Sequence, residues 1–184
     1  MSYPGVTPKG LYSGERAVTS QSYTEANIKN GSQFEGSADF GTVATATELK
    51  TVFLTGALPV SLKGRTVSFT GEGVQAEVYK APAYTGGSPA AYQNATDISP
   101  NIGLSQIIVG ATITNDGSLL FAPIYAFGNA SNQGKGGVLT LVEPEHILAP
   151  NTAYMLKITS LDSGNQRIAS HLSWYEGELD LPLP

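Results

Sequence analysis

The chain has no cysteine among its 184 residues, which excludes disulfides, thiolate metal sites and a cysteine nucleophile together. Histidine occurs only twice, at His146 and His171, so a three-histidine metal centre cannot form. Charged residues make up 14% of the sequence, well under the ~25% usual for globular domains. The net charge of −5 is spread along the chain with no Lys/Arg cluster among aromatics, which argues against a nucleic-acid partner. No apolar run approaches the ~20 residues that a membrane-crossing helix needs. The opening MSYPGVTPKG lacks the charged and apolar regions of an export signal. A soluble protein, with no membrane partner and no leader, is expected.

Polarity is supplied instead by Gly, Ser, Thr, Asn and Gln, the vocabulary of strands and turns, while apolar residues reach 41%. That balance suits one well-packed domain rather than a disordered chain. Residues 1–36 stand apart as an extended N-terminal arm, punctuated by Pro4, Gly5, Pro8, Gly10, Gly14, Gly31 and Gly36. Its one expected helix is about two turns long, running from Thr24 as N-cap to a stop at Asn30-Gly31. The larger side chains of the arm, Tyr3, Leu11, Tyr12, Arg16, Tyr23, Ile28 and Phe34, are the candidate contacts to a partner or a sister subunit.

From 37 to 184 the pattern is β. Val67 and Phe69 alternate with polar residues, as do Val74, Ala76 and Val78. Ser105–Thr114 places Ile107, Val109, Ala111 and Ile113 on one face, and Asn115-Asp116-Gly117 then predicts a hairpin turn. Thr47–Thr55 is apolar on both sides, as in a strand covered on both faces. Tyr154, Leu156 and Ile158 alternate, and Ile168, Leu172 and Trp174 share a face after the turn Asp162–Asn165. About eight such strands with no amphipathic helix between them predict an all-β, antiparallel two-sheet sandwich. A jelly roll and an immunoglobulin-like sandwich both fit, because strand order cannot be read from periodicity.

The stretch GNASNQGKGG invites comparison with a phosphate-binding loop, and it fails on three counts. Gly128 and Gly134 enclose five residues rather than four, Lys135 is followed by Gly136 instead of Ser or Thr, and Val138–Val142 continues as a strand where a helix is required. It reads as a long connection at one end of the sandwich. Asn129, Ser131, Asn132, Gln133 and Lys135 make it a candidate contact loop. The acidic groups Glu143/Glu145 and Glu176/Glu178/Asp180 read as solvated turn charges, since neighbours on a turn seldom converge across one bond as a glycosidase requires. Tyr79, Tyr84 and Tyr92, in or beside a Pro/Gly-rich loop, could bind sugar or protein or stack on the loop's own prolines. No catalytic residue, cofactor site or metal site is expected.

The stretches SYTEANIKNGSQFEGS, VYKAPAYTGG, FGNASNQGKGG and ILAPNTAYMLKITSLDSGNQRIASHLSWYEGELDLP resemble small structural proteins of tailed bacteriophages. These are encoded near the major capsid protein and are assigned to decoration, or cementing, of the head. The resemblance runs from about Ser22 to Pro184 and implies a jelly-roll or related sandwich with no enzymatic activity. It further implies a homo-oligomer, dimer or trimer, on the outer capsid surface, assembled in the host cytoplasm and bridging major capsid protein subunits. Two other readings remain open: a sugar- or receptor-binding module of a phage tail or fibre, and a hydrolase built on the acidic groups.

Overall fold

Alternating apolar and polar residues bury one face of a strand and wet the other, and the chain satisfies this pattern by packing two antiparallel sheets face to face. The structure is a computed structural model that describes residues 22–128, 136–141 and 145–177. It opens with α1 (Tyr23–Lys29), whose N-cap is Ser22, two residues before the expected Thr24; Ser22 Oγ accepts from the N–H of Glu25 at 3.2 Å. Asn30 caps the other end, as the Asn-Gly stop suggested.

Fifteen strands follow among the described residues. They are β1 (Gln33–Val43), β2 (Glu48–Leu54), β3 (Val60–Phe69), β4 (Gly73–Lys80), β5 (Ala83–Thr85), β6 (Ser88–Pro89), β7 (Tyr92–Asn94), β8 (Gln106–Val109), β9 (Thr112–Asn115), β10 (Ser118–Leu119), β11 (Ile124–Phe127), β12 (Gly137–Thr140), β13 (His146–Leu148), β14 (Ala153–Ser160) and β15 (Gln166–Glu176). One sheet runs β12-β3-β15-β1-β7, with β13 also on β3; the other runs β10-β4-β14-β2-β8-β6, with β11 also on β4. The short strands β12 and β13 share one position along β3, and β10 and β11 share one along β4. Each sheet then holds four principal positions, and the chain changes sheet from β1 to β2, β2 to β3, β3 to β4 and β14 to β15. That order is the eight-position jelly roll.

Residues 81–117 are an insertion between β4 and β10. Within it β7 extends one sheet beyond β1, β8 and β6 extend the other beyond β2, and β5 pairs with β9 as a separate ribbon. Gly110, at φ +68°, divides the expected strand 105–114 into β8 and β9. Asn115-Asp116-Gly117 turns the chain, with Gly117 N–H donating to Asn115 Oδ1 at 2.8 Å, yet it closes no hairpin. The strands on its two sides pair with different partners, β9 with β5 and β10 with β4.

The main core lies between the sheets around Trp174, which is fully buried with Phe53, Phe34 and Tyr92 at ring-centroid distances of 5.2, 5.8 and 5.6 Å. Thr51, Val52 and Phe53 of β2 are all buried, as its apolar pattern predicted. Phe53 points into the main core, while Val52 joins Met155 and Ile108 in a second cluster packed against Tyr79, Tyr84, Ala111 and Ile113. The three loop tyrosines are therefore used internally: Tyr79 and Tyr84 cover this cluster, and Tyr92 donates to the Gly103 carbonyl at 2.9 Å.

Two polar clasps fix the sheet crossings. At the β3–β4 and β14–β15 corners, buried Gln166 accepts from Gly71 N–H at 3.1 Å and donates to the Gly73 carbonyl at 2.8 Å. Asp162 accepts from Glu72 N–H at 2.7 Å. At the opposite end, Glu176 corrects the reading as a solvated turn charge. It is 8% exposed and accepts from Trp174 Nε1 at 2.8 Å, Leu104 N–H at 2.6 Å and Ser105 N–H at 2.9 Å. Three donors, two of them buried, that converge on one carboxylate explain why it is inside.

Glu145 likewise fastens β13 to β3, accepting from Ser61 Oγ at 2.8 Å and pairing with Lys63. The Lys63 and Ser61 hydrogen bonds hold its carboxyl below the ordinary value of 4.5.

Replacing Glu176 by Ala leaves the three donors unpaired. The expected cost is about 3 kcal/mol, which for a chain of this size lowers Tm by about 6–12 °C in a thermal melt. Glu145 contributes stability that is complete above its ordinary value and is lost as pH falls through its depressed one. The Tm gap between the parent and Glu145→Gln should therefore be present at about pH 6 and shrink as the pH is taken below the ordinary carboxylate value.

Candidate interaction surface

Strands β10 to β13 sit at one side of the sandwich and occupy the terminal position of both sheets. Their inward residues join the core: Ile124, Ala126, Leu139 and Leu148. Their outward residues are large and apolar as well. Phe127 is 75% exposed, Val138 65%, Tyr125 51%, Leu119 46% and Ile147 44%. The rings of Tyr125 and Phe127 lie parallel, with an interplanar angle of 3° and centroids 6.2 Å apart. Sheet edges of isolated proteins are commonly protected by charge, proline or bulges. An edge that is instead apolar on its outward side has the composition of a contact surface.

The β3–β4 corner positions this side. Gly128, which follows β11, donates its N–H to the Glu72 carbonyl at 2.8 Å, and a Cβ there would lie 2.3 Å from the Gly71 carbonyl oxygen. Gly136, at φ +118°, precedes β12, and its Cβ would lie 2.6 Å from the Phe69 carbonyl oxygen. Gly128 and Gly136 thus let the chain pass close to a backbone corner, while Gly134 lies outside the described residues. Asn129, Ser131, Asn132, Gln133 and Lys135 lie outside the described residues.

A second apolar group, Ile98 at 93% exposed, Ile102 at 80% and Leu104 at 54%, lies on the segment beside α1. Asn101 Nδ2 donates to the carbonyls of Asn30 and Gly31 at 3.3 and 3.2 Å, and Asn94 Nδ2 donates to that of Gly31 at 2.8 Å. Asn94 and Asn101 thus hold the end of α1 against this segment. Of the arm residues, Tyr3, Leu11, Tyr12 and Arg16 lie outside the described residues. Tyr23 opens α1, and Ile28 is half-buried on it. Phe34 is corrected: at 3% exposed it is core, packed on Trp174, because β1 begins at Gln33, inside the segment assigned to the arm.

The most charged region is a lattice on the outer face of the second sheet. Lys157 Nζ lies 2.6 Å from Glu77 Oε2 and 3.9 Å from Asp116 Oδ2, and Lys50 Nζ lies 2.9 Å from Asp116 Oδ1. Tyr79 donates to Glu77 Oε1 at 3.1 Å. Burial acts to lower the Lys157 pKa, but its bonds to Glu77 and Tyr79 outweigh that and hold it above the ordinary lysine value. Lys50 is held up chiefly by its bond to Asp116. These charges pair with one another and tie the 115–117 turn to the sheet, and their scatter along the sequence hid the grouping.

His146 packs edge-on with Phe121, at a centroid distance of 6.1 Å, and His171 is exposed on β15. Among the described residues no three His, Asp or Glu side chains converge as metal ligands, and no helix is long and apolar enough to cross a membrane. The sequence signal for the apolar side was present in Ile124-Tyr125-Ala126-Phe127, where both alternating faces are apolar.

No family model and no curated protein matches the chain. Among solved structures it is similar to that of the infectious bursal disease virus Gt strain, at 11% identity and a TM-score of 0.21, over 94% of this chain and 47% of that one. It is also similar to the infectious bursal disease virus VP2 subviral particle, at 11% identity and a TM-score of 0.19, over 95% of this chain and 49% of that one. The chain spans about half the length of each of these structures.

Proposed function

We propose that this protein is a non-enzymatic structural component of a virion, decorating a bacteriophage head and stabilising it by bridging major capsid protein subunits. The observation that carries the reading is the outward apolar side of β10–β13, set on a rigid jelly roll whose described charges are largely engaged in fastening its own strands. The sequence resemblance to phage head proteins supports the same reading. Cementing needs a stable body, a contact face with a desolvated centre and no chemistry. In this reading residues before Ser22 add contacts beside Ile98 and Ile102, and the protein acts as a dimer or trimer on the outer capsid surface.

Co-sedimentation with expanded, decoration-free capsids tests it. Binding should saturate at a fixed ratio to the shell protein and raise the capsid melting temperature; no binding would overturn the reading. Phe127→Asp should weaken capsid binding about tenfold or more while leaving the melting temperature of the free protein nearly unchanged, because the side chain is mostly exposed. A chain beginning at Ser22 should fold normally and bind capsids more weakly.

The parallel, exposed rings of Tyr125 and Phe127 favour one second reading, a sugar- or receptor-binding module of a tail or fibre, since flat rings stack on sugars as well as on protein. Selective signals on a glycan array, lost in Phe127→Ser, together with no capsid binding, would establish it instead.

A further inference from the structure

Arg65 lies on the inward face of β3, between the two sheets, and is 5% exposed. Its Nη2 donates to Thr51 Oγ1 on the opposite sheet at 3.0 Å, and its Nε has no hydrogen-bond partner. No carboxylate among the described residues lies within ion-pair distance of it. Burial alone lowers its pKa to about 10, so the guanidinium stays charged near neutral pH. A buried charge with neither counter-charge nor a full set of acceptors costs several kcal/mol.

Arg65 is among the residues that line a small cavity of ≈ 20 Å³, together with Phe53, Leu62, Leu120, Leu141, His146 and Tyr154. Space of that size holds about one water or one monatomic ion. The walls select between them. A buried water usually makes two to four hydrogen bonds to polar groups; this lining is mostly apolar, and the Tyr154 hydroxyl, which accepts from Ala149 N–H at 3.0 Å, has an O–H to donate, which suits an anion. A water would also leave the positive charge uncompensated. A halide is satisfied by a few N–H donors, tolerates an apolar wall and supplies the missing charge. Phosphate, sulfate and organic carboxylates are too large for the space.

We propose that the cavity beside Arg65 is a structural binding site for a monatomic halide, chloride in practice, held by the guanidinium between the sheets of the jelly roll. The ion neutralises this buried cation and couples the stability of the fold to halide concentration.

Thermal melts of the full chain in sodium chloride, sodium bromide and sodium gluconate at matched ionic strength test this. Chloride and bromide should raise Tm by about 2–5 °C over gluconate in a saturable manner. Arg65→Met, which replaces the charge by an apolar side chain of similar length, should show no difference between the salts, whatever its own Tm. Crystals grown in bromide should give an anomalous peak within hydrogen-bond reach of the guanidinium. Coincident melts in the three salts, or a halide effect equally large in Arg65→Met, would overturn the proposal. So would a cavity without a bromide peak in those crystals. A Glu143→Gln variant that loses stability without any halide dependence in the parent would assign the neutralising charge to that carboxylate and overturn the site as well.

Discussion

The polar clasp at the β3–β4 and β14–β15 corners is the constraint on which the remaining architecture depends. A jelly roll changes sheet at nearly every connection, so its corners must satisfy backbone groups that have left one ladder and not yet entered another. Gln166 and Asp162 do this with side chains, accepting from Gly71 and Glu72 and donating to Gly73. The fit leaves no room for a side chain on Gly71, where a Cβ would lie 1.9 Å from Asp162 Oδ2. With both corners joined, β3 is set opposite β4 and β15 opposite β14, and the core around Trp174 closes between them.

The same corner controls the exposed side of the molecule. Gly128 and Gly136 run against its backbone, so β11 and β12 are delivered to the terminal positions of the two sheets beside each other. Their inward residues complete the core and their outward residues form the apolar side. Where the sheets come together beneath these strands, the interior holds Arg65 and its cavity.

Charge is scarce in this chain and is used mainly to hold it together. Glu176 gathers three donors at one end, Glu145 ties β13 to β3, and Lys50, Lys157, Glu77 and Asp116 secure the insertion over the second sheet. Glu176 and Glu145, read from the sequence as solvated charges, are thus committed to backbone N–H groups, an indole and a lysine, while Glu143, Glu178 and Asp180 lie outside the described residues.

Much of the fold was legible in the sequence, because a half-buried strand must alternate and β2, β14 and β15 show their alternation plainly. The all-β class, the two-sided burial of Thr51–Phe53 and the core position of Trp174 all follow from residue spacing. Other features depend on residues far apart in the chain. Strand order, the division of 105–114 at Gly110, the core position of Phe34, the capture of Glu176 by Leu104 and Ser105, and the isolation of Arg65 belong to this group. Local pattern sets which face of a strand is apolar, since side-chain direction repeats every two residues. Which strand lies beside it, and whether a charge finds a partner, is decided only when distant segments meet, and that selection is the work of the tertiary structure.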